Sequence, residues 1–80
     1  MKKINFNNDD SLVLMFAFRY ALGRQSTAPS YMVDIIELNW DVLTVQDKKQ
    51  IQKEIVQYEK IYKLSDIDKP TWWRIVNKEI

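Results

Sequence analysis

Arg19 and Arg24 are the residues of this 80-residue chain whose type and spacing first suggest chemistry. They bracket the end of an apolar run, Leu12 to Leu22. Two guanidiniums placed there could grip a phosphate or a carboxylate. The same pair could instead cap helical carbonyls and complement the helix dipole, with Arg19 turned to Asp34 or Glu37. Arg19 interrupts an otherwise apolar stretch, so its head group is expected to need an internal partner. Trp72, Trp73 and Arg74 form a second candidate group, because Trp, Tyr and Arg dominate the energetic centres of protein interfaces. Tyr20, Tyr31, Tyr58 and Tyr62 read as core residues with a polar tip. The expected partner-binding residues are therefore Arg19, Arg24, Trp72, Trp73 and Arg74.

Other chemistries are narrowed by composition. The chain has no Cys and no His. Disulfides, zinc sites of thiolate or imidazole, Cys nucleophiles and His general bases are all excluded within it. Asp9 and Asp10, with Asp34, Glu37 and Asp41, lack metal-ligand spacing and form no calcium-type loop. They read as helix caps and solvated faces. No catalytic residue, cofactor or metal is expected, and the chain is not expected to be an enzyme. Twelve Lys and Arg stand against eleven Asp and Glu, a net charge of +1. Bulk attraction to nucleic acid or anionic lipid is thus absent, although Lys48, Lys49 and Lys53 make a local basic stripe.

The elements that must position these residues read as helices. With 46% hydrophobic residues the chain has the material for a core, and disorder needs the opposite balance. Its length suits one domain, residues 1 to 80, with 1 to 8 as a loose lead-in. Asp9, Asp10 and Ser11 can cap a first helix running to about Leu22. Gly23 is the expected left-handed residue after its end. Leu12 to Phe18 are apolar on every face, which predicts a buried, central helix; periodicity alone would also allow a buried strand. Gln25 to Ala28 read as a connector, and Pro29 opens a second helix to about Leu43. Thr44, with Asp47 three residues on, opens a third. Ile51, Ile55, Tyr58 and Tyr62 form its apolar face, with Val56 and Ile61 beside them; Lys48, Lys49, Gln52, Lys53 and Glu59 form its solvated one. Ser65 to Asp68 link it to a fourth helix, from about Pro70 to Lys78. The fold class expected is all-α, a small bundle of about four helices around a central apolar first helix.

Met1-Lys2-Lys3 ahead of an apolar run has the outline of a signal peptide, but the intervening Asn7, Asn8, Asp9 and Asp10 fit that poorly. The run is also too short to cross a bilayer. A cytoplasmic location with no membrane partner is expected.

The stretch Phe18-Arg19-Tyr20-Ala21-Leu22-Gly23-Arg24-Gln25-Ser26-Thr27-Ala28-Pro29-Ser30, followed by Asn39-Trp40, resembles a signature of small uncharacterised phage and prophage proteins. It departs at Thr27, where an aromatic is more usual. The charged third helix and the tail Thr71 to Arg74 are similar too. The resemblance implies a phage-derived protein that binds a host or phage protein, inhibitors of CRISPR and other defence systems being one such class. The leading expectation is therefore a non-enzymatic protein-binding module. Two alternatives stay open: a small nucleic-acid-binding regulator using Arg19, Arg24 and Lys48 to Lys53, and a structural or oligomerisation protein, including a homodimer.

Overall fold

Thr44 sets the start of the longest element. Its hydroxyl accepts the Asp47 backbone N–H at 3.0 Å, and helix α3 follows as Val45–Tyr62. The computed structural model describes residues 8–24 and 29–80, with side chains from Ser11 onward. Within them α3 is joined by α1 (Asn8–Arg24), α2 (Pro29–Leu38) and α4 (Asp68–Val76), with a short 3-10 turn at Trp40–Val42. The described residues contain no strand, and the fold is the expected small all-helical bundle. The expected connector Gln25 to Ala28 and most of the lead-in lie outside the described residues.

The core draws on all four helices. Phe18, Val33, Ile36, Ile51, Ile55, Trp72 and Ile75 have no exposed surface. Trp72 of α4 meets Phe18 of α1 edge to face, with centroids 5.8 Å apart at 73°. Helix α4 packs on both α2 and α3, so it is the short last helix that ties the bundle together.

Helix α1 enters this core with one side only. Leu14, Met15, Phe18, Ala21 and Leu22 are buried, while Leu12, Val13, Phe16 and Tyr20 are exposed by 57%, 66%, 66% and 61%. The expectation that an all-apolar helix is buried all round fails here. Three helices of this length can cover one side of a fourth but cannot enclose it.

Helix ends also differ from the periodicity. Helix α2 stops at Leu38 and not Leu43, because the buried Asn39 turns its amide back to the Ile35 carbonyl at 2.9 Å. Helix α1 begins at Asn8, runs through Gly23 to Arg24, and Gly23 has no positive φ. The left-handed turn instead falls at Lys63, φ 63°, after α3. Helix α4 starts at Asp68, two residues ahead of Pro70. Ser65 anchors it by accepting the Asp68 N–H on both its hydroxyl and its carbonyl, each at 3.1 Å.

Two side chains assigned by pattern to a solvated face seal junctions. The Gln52 amide donates to the carbonyls of Ile75, Val76 and Lys78 at 2.9–3.3 Å, closing the end of α4. The Glu59 carboxylate accepts the Leu64 N–H at 2.6 Å beyond the end of α3. Trp40 donates its indole N–H to the Glu79 carbonyl at 3.1 Å, holding the tail against the 3-10 turn.

Trp72 Nε1 is buried with no hydrogen-bond partner among the described residues. Trp72→Ala should lower stability by about 3–5 kcal/mol through the cavity it leaves. Trp72→Phe should cost only about 1–2 kcal/mol, since losing a stranded N–H offsets part of the lost volume. Urea titrations followed by circular dichroism distinguish the two. A Cβ at Gly23 would meet nothing within 4 Å. Gly23→Ala should therefore raise the urea midpoint, by about 0.5 kcal/mol in stability, because alanine is the better helix former.

Candidate functional site

The five residues singled out by type do not converge. Trp72 is sealed in the core and cannot present its ring to a partner. Trp73 is half-buried, with the Lys69 amine 5.1 Å above its ring. Arg74 lies across α2, donating to Asp34 at 3.1 Å and to Glu37. Lys78 adds a second cation on Glu37 at 3.2 Å. These two carboxylates, expected for Arg19, thus belong to the α2–α4 junction, and they raise the affinity of Arg74 for its proton.

Arg19 instead reaches α3. Its Nε and one terminal nitrogen donate to the two oxygens of Glu54 at 2.8 and 2.9 Å, a bidentate pair. The Gln50 amide adds a third donor to Glu54 at 2.7 Å. Hydrogen bonding from Arg19, first of all, holds the Glu54 carboxyl below its ordinary range, and burial opposes this. Arg19 is raised for the same reason. The guanidinium is therefore paired within the chain while its side chain stays 47% exposed, and an external phosphate would compete with Glu54 for it.

This ion pair forms part of the wall of a groove between the last turns of α1 and α3. Arg19, Leu22 and Gly23 line one side; Glu54, Gln57, Tyr58, Ile61 and Tyr62 line the other, around about 260 Å³. Tyr58 and Tyr62 pack at 5.0 Å and a 42° tilt, and the Tyr58 hydroxyl reaches the Gly23 carbonyl at 3.4 Å. Ile61 and Tyr62 are 70% and 67% exposed. Pattern placed both on the buried side of α3, where Tyr62 continued the spacing of Ile51, Ile55 and Tyr58. They stand free because the bundle ends before α3 does. Arg24 lies at the same end of α1, its guanidinium 5.4 Å over the Tyr20 ring. Arg19 and Arg24 are thus at this end of the molecule, and Trp73 and Arg74 belong to α4.

A second, more open groove of about 500 Å³ runs along α3 beside α4. Lys49, Lys53 and Lys60 border Val56 and Val76 there; none of the three makes a direct ion pair with a described carboxylate, and the Lys53 charge helps to hold Glu54 low. It extends the basic stripe read from sequence. No aromatic ring lines it, so it lacks the stacking surface that single-stranded nucleic acid uses.

Among the described residues no group of three or more acidic, His or Cys side chains could hold a metal ion. No helix there is long and apolar enough to cross a membrane. The chain matches no known protein family, no curated protein and no solved structure.

Glu54 and Glu59 generate a pH dependence. The Leu64 N–H, followed by Lys69, holds Glu59 low, as Arg19 holds Glu54. Both fold with carboxyls below their ordinary value of 4.5. The unfolded chain then binds more protons, so stability is fully present above that value and falls as pH drops through the lower folded values. Urea midpoints should be level from neutral pH to about 5.5 and decline below it. Glu54→Gln should lower the neutral-pH midpoint and make the acid decline shallower.

Proposed function

We propose that this protein is a non-enzymatic binding module that docks on another protein through the groove between α1 and α3. One observation carries the reading: Ile61 and Tyr62 stand mostly exposed beside a groove whose polar wall is already satisfied internally. A large apolar side chain held on a rigid helix costs little entropy to immobilise, so a partner that covers it gains most of the burial energy. Tyr and Arg are the residue types that supply such anchors, and Tyr58, Tyr62 and Arg24 are at hand. The bidentate Arg19–Glu54 pair ties α1 to α3 along one wall of the groove.

The resemblance to small phage proteins gives the reading its context. A host protein is the first target to test, with nuclease-type defence complexes of the CRISPR kind at the head of the set. The run that carries the resemblance supplies Arg19, Leu22, Gly23 and Arg24 to this end of the molecule. A second reading, a nucleic-acid-binding regulator, rests on the row Lys49, Lys53 and Lys60 along one groove.

Affinity capture from host lysate by the immobilised chain tests both. Wild type should enrich a defined protein, and Tyr62→Ala combined with Ile61→Asp should weaken that capture about 10- to 30-fold. Both side chains are exposed, so circular dichroism should be unchanged. Equal capture by the variant would remove the groove from the function. A salt-sensitive mobility shift of a short DNA duplex, lost in Lys49→Glu with Lys53→Glu, would favour the second reading instead.

A further inference from the structure

The outward face of α1 stands apart from the groove and asks for its own occupant. Leu12, Phe16 and Tyr20 follow one another at four-residue steps, with Val13 beside them, and all four are more than half exposed. Four-residue steps on a helix make one nearly straight row. The opposite side of the same helix is fully used in the core. A row of this extent matches the largest apolar patches that soluble monomers carry, and such patches are often functional.

We infer that this face is covered by a second copy of the chain, the two α1 helices lying antiparallel about a two-fold axis through Phe16. The row itself points to this arrangement. Phe16 is the midpoint of Asn8–Arg24, with Leu12 one step before it and Tyr20 one step after. Antiparallel pairing therefore sets Phe16 against Phe16 of the other copy and Leu12 against its Tyr20, apolar against apolar along the whole row. A closed two-fold pair needs this self-complementarity. The backbone agrees: antiparallel pairing opposes the two helix dipoles, whereas parallel pairing sets like against like. Ala17, exposed between the larger side chains, leaves space for a facing ring.

Area sets the strength. Four large side chains, each about three-fifths exposed, bury on the order of 900 Å² across two copies, just under the span of a stable interface. The dimer should accordingly form at about 10–100 µM and leave the α1–α3 groove of each copy at the outer ends of the pair.

Sedimentation equilibrium between about 5 and 500 µM reads this directly. The weight-average mass should rise from the 9.6 kDa of one chain toward twice that value. Phe16→Glu should hold the mass at one chain throughout, with unchanged circular dichroism because the position is exposed. The chain has no Cys, so single introduced thiols report the register cleanly. An equimolar mixture of Leu12→Cys and Tyr20→Cys should cross-link as the mixed pair several-fold faster than either variant with itself. A mass fixed at one chain, association that ignores Phe16→Glu, or faster Leu12→Cys self-linking would each overturn the proposal. A single chain that co-sediments with phosphatidylglycerol vesicles through Phe16 would assign the face to a lipid surface and overturn it too. None of these outcomes depends on Ile61 or Tyr62, so this inference and the groove reading stand or fall separately.

Discussion

Burial of the Trp72 ring is the constraint on which the rest of the fold depends. A nine-residue helix has little intrinsic stability in water, and α4 persists because this indole is packed away on it. Once there, the ring faces Phe18 of α1 while its helix lies on α2 and α3. In so small a domain, about a third of the surface stays wet, and one fully buried indole is a large share of the available apolar gain. The arrangement accepts a stranded indole N–H in return for that packing, and the neighbouring polar groups are organised around the perimeter.

That perimeter is held by side chains that answer backbone groups or neighbouring charges across helix boundaries. Gln52 closes the carbonyls of α4, Glu59 receives the chain leaving α3, and Trp40 holds the Glu79 carbonyl. Arg74 and Lys78 neutralise the acidic side of α2, while Arg19 neutralises Glu54. Much of the cationic charge on α1, α4 and the tail is thereby spent internally. Lys49, Lys53 and Lys60 are concentrated on one side of α3 instead. A nearly neutral chain can thus still present one locally basic edge.

Helix content was legible because the punctuation is local. Thr44 with Asp47 and Pro29 mark helix starts through chemistry that acts within one turn. The α3 core positions Ile51 and Ile55 also followed from spacing alone. Contacts across 35 residues or more carry no such local mark, and both arginine partnerships were of this kind: Arg19 with Glu54, Arg74 with Asp34 and Glu37. Spacing also says which residues share a face, not whether the bundle is long enough to cover it. Ile61, Tyr62 and the outer row of α1 were therefore read as core and emerged exposed. Asn39 was the one misplaced boundary with a readable cause, an asparagine ahead of Trp-Asp that bonds back to its own helix.

The three tryptophans give the molecule built-in optical reporters. Trp72 is sealed from water, Trp73 is half-covered beneath the Lys69 amine, and Trp40 is half-covered with the amines of Lys48 and Lys78 at 5.6 and 6.0 Å. A dissolved quencher would therefore extinguish their emission in order, the two half-covered rings first and the sealed one only when the bundle opens. The light remaining at high quencher concentration would come from a single known indole. Its loss would time the separation of α4 from the other helices without any added label.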